Sequence, residues 1–165
     1  MTFEAILQRT EAHFPGAVLA SDAQVLQPWM QLAPQQLVAV CAWLRDEPGL
    51  YFDHLACLSG VDLGPTLSLM EVVYHLTSLT QGHALVLRVQ VPCAVADGAL
   101  PSVPSLSGVW RAADWHEREA FDLLGIAFDG HPDLRRMLLP ADWPGHPLRK
   151  DYQAPDSYHG IDVAY

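Results

Sequence analysis

Residues 130–152, GHPDLRRMLLPADWPGHPLRKDY, say nearly the same thing twice. Gly130-His131-Pro132 leads into Arg135-Arg136, and Gly145-His146-Pro147 leads into Arg149-Lys150. Histidine beside paired cations can serve as general base, metal ligand, anion trap or docking surface. A metal site is poorly supported. His131 and His146 are not at i, i+4 spacing, neither lies in an H-E-x-x-H frame, and the other histidines (13, 54, 75, 83, 116 and 159) are scattered. Nor is there a nucleophile elbow, a P-loop or a dinucleotide fingerprint. A free-standing enzyme using His131 and His146 stays as a rival reading.

The second constellation is carboxylate-rich. In SGVWRAADWHEREAFDLLG, read as one helix ending at Gly125, Trp110, Ala113, Ala120, Phe121 and Leu124 form an apolar stripe. Glu117 falls in the middle of it. A carboxylate on a buried face costs several kcal/mol unless it is paired, and an arginine fork suits that task best. Glu117 is therefore expected to pair with an arginine of the 135–149 region, Arg135, Arg136 or Arg149. Arg118 is expected to be held by Asp114 and Asp122 at i−4 and i+4. The alternative is a helix break near Arg111 that shifts the register and leaves Glu117 in water.

Rigid proline turns carrying arginines, with Trp143 beside Leu138 and Leu139, read as an interface. His131, Trp143, His146, Lys150 and Tyr152 are its candidate partner-facing residues. The tail QAPDSYHGIDVAY ends in an aromatic and reads as an extended piece lying along a partner.

Composition narrows the class. A chain of 165 residues with half its residues hydrophobic suits one domain with a real core. The net charge of −10 argues against nucleic acid, which demands a cationic surplus. Residues 111–152 hold six of the nine Lys/Arg and eight of the nineteen Asp/Glu, so the cations are matched by carboxylates rather than forming a steering field. Cys41, Cys57 and Cys93 lie far apart without a C-x-x-C, which reads as buried reduced thiols and not a cluster or zinc site. The start resembles neither a signal nor a transit peptide, and no stretch approaches the ~18 apolar residues of a membrane span. A cytosolic chain, or one associated with a membrane only through a partner, is the expectation.

The elements that must position these residues read as α+β. Phe3, Ile6, Leu7, Thr10 and Phe14 space as a helix stopped by Pro15-Gly16. An extended piece around Gln24–Met30 follows. Pro34 opens a second helix, with Leu37, Val40, Cys41 and Leu44 as its stripe. After the apolar LYFDHLACLSGVD come two strands, LSLMEVVYHLTS and HALVLRVQV, joined through Thr80-Gln81-Gly82 as an antiparallel hairpin. Leu85, Leu87, Val89 and Val91 share one face. The link DGALPSVPSLSG precedes the third helix. Helices on one face of a small, mainly antiparallel sheet form a single domain over 1–152, with an extended C-terminal tail over 153–165.

From WHEREAFDLLGIAFDGHPDLRRMLLPADWPGHPLRKDY the chain resembles the 30-kDa subunit family of proton-translocating NADH:quinone oxidoreductase, respiratory complex I. The resemblance rests on Glu117-Arg118-Glu119, Asp122, Gly125-Ile126, Gly130 to Arg136 and Gly145 to Tyr152, with VDLG and MEVVYHLTS matching more loosely. Phe121 and Leu124 stand where the family often has Tyr and Phe, and both remain apolar. The resemblance implies a non-catalytic subunit of the hydrophilic arm, packed against the large quinone-site subunit and near cluster-bearing small subunits. It implies no cofactor on this chain; NADH, FMN, iron–sulfur clusters and quinone belong to other subunits. It further implies peripheral attachment to the cytoplasmic face of a bacterial membrane, with membrane contact only through the complex. The family also serves ferredoxin-linked complexes and membrane-bound nickel–iron hydrogenases, which remain an alternative.

Overall fold

The computed structural model describes residues 1–93 and 98–163. Asp97, at the head of the proline-rich link, and Tyr165, the terminal aromatic, lie outside the described residues. Helix α1 (Phe3–His13) begins at Thr2, whose hydroxyl accepts from the Ala5 N–H. Strands β1 (Val18–Asp22) and β2 (Trp29–Leu32) follow, then a 3-10 turn (Pro34–Gln36) that runs into α2 (Leu37–Asp46). Strands β3 (His54–Asp62), β4 (Leu69–Ser78) and β5 (His83–Pro92) precede β6 (Ser102–Pro104), α3 (Ala113–Leu124) and β7 (Ala127–Asp129). A last hairpin joins β8 (Ser157–Tyr158) to β9 (Ile161–Asp162).

The main sheet runs β1-β2-β5-β4-β3. Only the β2–β5 pairing in it is parallel. Register follows the alternation of the sequence. Leu85 faces Leu76, Leu87 faces Tyr74, Val89 faces Val72 and Val91 faces Met70, all buried. Burying each such side chain is worth roughly 1.5–3 kcal/mol, and a one-residue slip would turn the whole row to the other face. This face packs against Ile6 of α1, the Leu37, Val40, Cys41 and Leu44 stripe of α2, and Ala113, Ala120 and Leu124 of α3. The opposite face is amphipathic: the Arg88 guanidinium stacks over Trp29 at 4.4 Å, and Gln90 donates to the buried Glu71 at 2.7 Å.

Two sequence expectations shift. The extended piece expected around Gln24–Met30 is a turn over most of its length. The Asp22 carboxylate accepts from the Gln24 N–H at 2.9 Å, so the chain reverses there and pairs β1 with β2. The third helix begins at Ala113, after turns that let Trp110 donate from its indole to the Phe52 carbonyl at 2.9 Å. The break near Arg111 therefore exists, but it does not leave Glu117 in water: that residue is wholly buried. Gly60 of β3 explains how α3 comes so close. A Cβ there would stand 2.6 Å from the Leu124 Cδ1. The thiol of Cys41 lies in the core, whereas Cys57 and Cys93 are half-buried, so the three are free but not uniformly enclosed.

Candidate functional site

Helix α3 ends where Gly125 turns left-handed, at φ +69°, and its N–H bonds the Phe121 carbonyl. The last carbonyls of a helix need donors from outside it. The second GHP segment supplies them. His146 donates through Nδ1 to the Asp122 carbonyl at 2.9 Å, and the Leu148 N–H bonds the Leu123 carbonyl at 2.9 Å. The close fit needs Gly125, since a Cβ there would meet the His146 ring at 2.5 Å.

Asp122 is the centre of the arrangement. Its Oδ2 accepts from three successive N–H groups, Met137 at 3.0 Å, Leu138 at 2.7 Å and Leu139 at 2.9 Å. Its Oδ1 takes the Arg136 guanidinium at 2.9 Å, and Arg136 reaches on to the Gly145 carbonyl at 2.8 Å. Burial alone would raise this carboxyl; the three N–H bonds and Arg136 outweigh it and hold it below the ordinary range. One side chain thus fixes an irregular segment that has no strand or helix to order it.

Glu117 is solved differently. Its Oε1 accepts from the Leu106 N–H at 2.6 Å and its Oε2 from the Ser105 hydroxyl at 2.6 Å. The nearest cationic candidate is His131, whose Nε2 lies 4.0 Å away. The expected arginine partner is thus corrected. Arg136 is taken by Asp122, Arg135 pairs with Asp133 at 2.9 Å, and Arg149 with Asp151 at 3.3 Å. Burial pushes the Glu117 carboxyl above the usual range, against the pull of its hydrogen bonds. Arg118 is likewise not held by Asp114 and Asp122. It stacks over Trp115 at 5.1 Å and points its Nε at the Arg135 carbonyl, 3.4 Å away. The reason is that Asp122 already faces the opposite way, into its three backbone amides.

The two GHP histidines grip opposite ends of α3. His131 Nδ1 accepts from the Asp133 N–H at 3.0 Å, which places its proton on Nε2, directed at the Asp114 carbonyl 3.1 Å away. His146 bonds Asp122, eight residues further along the helix. The two carbonyls they bond are about 12 Å apart along the helix. Both rings were expected at a partner surface; His131 is enclosed and spends both ring nitrogens inside the chain, whereas His146 spends Nδ1 there and is half-buried. Trp143 is half-buried and donates to the Tyr152 hydroxyl at 3.1 Å. The tail hairpin folds back onto that indole, with Tyr158 at 4.9 Å from it and its hydroxyl bonded to Asp142 at 2.9 Å. Lys150 is exposed; its backbone N–H bonds Asp62 of β3 at 2.8 Å. Arg149 also donates to the Cys93 sulfur at 2.9 Å. Sequence reasoning missed Ser105, Asp62 and Cys93. An aspartate two residues before glycine was the available signal for Asp62; Ser105 stands eight residues ahead of α3 and had none.

The family model for "Respiratory-chain NADH dehydrogenase, 30 Kd subunit" matches residues 30–158, which take in both GHP segments and all of α3. The chain belongs to this family. A relative from Chlorobium phaeobacteroides, named as a subunit of NADH-quinone oxidoreductase, is 45% identical over 92% of this chain and 89% of its own length. The relative of the same name from Chloroherpeton thalassium is 49% identical over 77% of this chain, which spans half of that longer protein. The fold also matches a chain in the structure of an archaeal membrane-bound sulfane sulfur reductase, a respiratory membrane complex. The TM-score is 0.72 at 21% identity, covering 91% of this chain and 85% of that one. In this 30-kDa-type protein no described helix is long and apolar enough to cross a membrane. Among the described residues, no group of three or more His, Cys, Asp or Glu is placed to hold a metal ion.

Proposed function

We propose that this 30-kDa-type chain is a non-catalytic scaffold subunit of a proton-translocating NADH:quinone oxidoreductase. It docks against the large quinone-site subunit and braces the cluster-bearing small subunits behind it. It carries no cofactor itself; NADH, FMN, iron–sulfur clusters and quinone are handled by its neighbours. It sits peripherally on the cytoplasmic side of the membrane, held there through the complex.

Family membership supports the assembly, and one structural observation supports the docking. The segment after α3 is pinned by Asp122, yet it holds Leu138 and Leu148 outward, each 59% exposed. Apolar side chains on a rigid backbone lose little entropy on association, which suits them to an interface. Lys150, Trp143 and Tyr152 lie on the same segment.

Tagged chain isolated from gently solubilised native membranes, with its companions identified by mass spectrometry, tests the reading. Flavin-, NADH- and cluster-binding subunits together with a quinone-site subunit are expected. Hydrogenase or ferredoxin-linked subunits in place of the NADH module would keep the scaffold and change the reaction. A chain that comes down alone would overturn the proposal.

A further inference from the structure

Among the described residues, strand β3 is an edge of the main sheet, paired only with β4. Its register is interrupted between Leu55 and Cys57, and beyond that it runs regularly from Cys57 opposite His75 to Asp62 opposite Met70. Among the described residues, none outside β4 bonds the main chain of 57–62. Six residues of regular strand present about 20 Å of outward N–H and C=O groups. Sheet edges are ordinarily blunted by shortness, a bulge, proline or an inward charge. The other edge, β1, is short and irregular, with five residues and a register shift between Val18 and Ala20. Between the register shift that ends at Cys57 and Asp62, whose carboxylate takes the Lys150 N–H, the residues Leu58, Ser59, Gly60 and Val61 carry none of these defences, and Val61 is 37% exposed.

A groove lies beside this edge. A cavity of about 300 Å³ is lined on one side by Cys57, Leu58, Ser59 and Gly60 and on the other by the α3 ridge that includes His116, Glu119 and Leu123, with Leu148 also lining it. Its wall is apolar at Leu123 and Leu148 and acidic at the exposed Glu119.

We propose that the 57–62 edge of β3 is a strand-addition site for an extended segment of a partner subunit. That segment carries apolar side chains at alternate positions and a lysine or arginine that meets Glu119. The free backbone groups dictate an extended occupant, because only a strand satisfies them in sequence. The alternation follows from the pleat: every second side chain of an added strand faces the groove wall. The cation follows from Glu119 and from the chain's net charge of −10. The inference rests on the reading of this chain as a subunit of a larger assembly.

The test compares amide hydrogen exchange in the purified chain with that in the purified native assembly. The 57–62 amides should slow by about tenfold or more on assembly. A photo-crosslinking residue at Ser59 should capture alternate positions of one extended stretch of another subunit. Glu119→Lys, a surface change that leaves the isolated chain's melting temperature near the parent's, should lower incorporation into the complex. Unprotected 57–62 amides in a chain that co-purifies with its companions would overturn this inference and leave the scaffold reading intact. Protection that grows with concentration in the isolated chain, with sedimentation as a dimer, would assign the edge to a second copy and overturn it too. A chain without companions would remove both readings.

Discussion

The buried Asp122 carboxylate meets the Arg136 guanidinium at 2.9 Å, while Glu117, buried just as deeply on the same helix, meets no arginine among the described residues. The difference follows from the partners' positions. Asp122 sits at the helix end, where the returning chain can offer three amides and a cation together. Glu117 sits mid-helix against the loop before it, which can offer one amide and one hydroxyl. Their pKa values move in opposite directions as a result.

Asp122→Asn should therefore be severe. Arg136 loses its counter-charge whichever way the amide turns, and either Arg136 or the Met137, Leu138 and Leu139 N–H groups then face an NH2. Breaking a buried pair costs about 3–5 kcal/mol. For a chain of this size that is a fall in melting temperature of roughly 10 °C, read by thermal denaturation. Amides 137–139 should lose protection in the same variant. An unchanged melting curve would remove Asp122 from its central role.

Glu117→Gln should be mild at neutral pH, within about 1 kcal/mol of the parent or more stable. The amide oxygen can still accept from Leu106 and its NH2 can donate to Ser105, while the desolvated charge disappears. The pH dependence separates the two sites. Because the folded Glu117 carboxyl is raised, the stability it contributes is fully present below the ordinary glutamate range, near pH 4, and is lost as pH rises through the raised value. Because Asp122 is depressed, its contribution is present above the ordinary aspartate range and is lost as pH falls through the depressed value. Denaturation curves between pH 3 and 7 should show the upper slope flattened in Glu117→Gln. A loss at pH 7 as large as that of Asp122→Asn would mean that an unseen cation pairs with Glu117.

Helical and strand periodicity made the sheet and helices readable, because both report burial directly. Leu85, Leu87, Val89 and Val91 needed only alternation, and the stripe on α3 correctly enclosed Glu117. What periodicity cannot carry is the partner of a buried polar group. Choosing among Arg135, Arg136 and Arg149 depends on the path of a segment without repeating structure, and Ser105 and the Leu106 N–H compete with no local signature. The β1 strand was hidden for a similar reason. Its exposed residues Leu19, Ala20 and Ser21 make no alternating pattern, so the Asp22 turn after it read as the extended piece.

Gly125→Ala tests the packing between α3 and the second GHP segment. The residue would be held at φ +69°, costing roughly 1–2 kcal/mol, and its Cβ would press into the His146 ring. Crowding of that kind typically adds about 1–3 kcal/mol. Chemical denaturation should show the sum as a lowered midpoint. If the variant matches the parent, the close approach of His146 to the helix end is not a constraint.

The two GHP histidines can be told apart from a shared active site by additivity. His131→Ala removes the bond to the Asp114 carbonyl and the acceptor for the Asp133 N–H; His146→Ala removes the donor to the Asp122 carbonyl. Each should cost about 1–3 kcal/mol of folding stability. The two sites are separated by some 12 Å of helix, so the double variant should lose the sum of the single losses to within about 0.5 kcal/mol. Histidines serving one metal or one proton transfer would behave otherwise, since the second substitution would cost little once the first had broken the site. Measuring the double-mutant cycle by denaturation, alongside turnover of the whole assembly, separates the cases. Additive stability losses with turnover falling only as assembly falls would fit two structural clamps on one helix. Strong coupling, or lost turnover in a fully assembled complex, would return both histidines to chemistry.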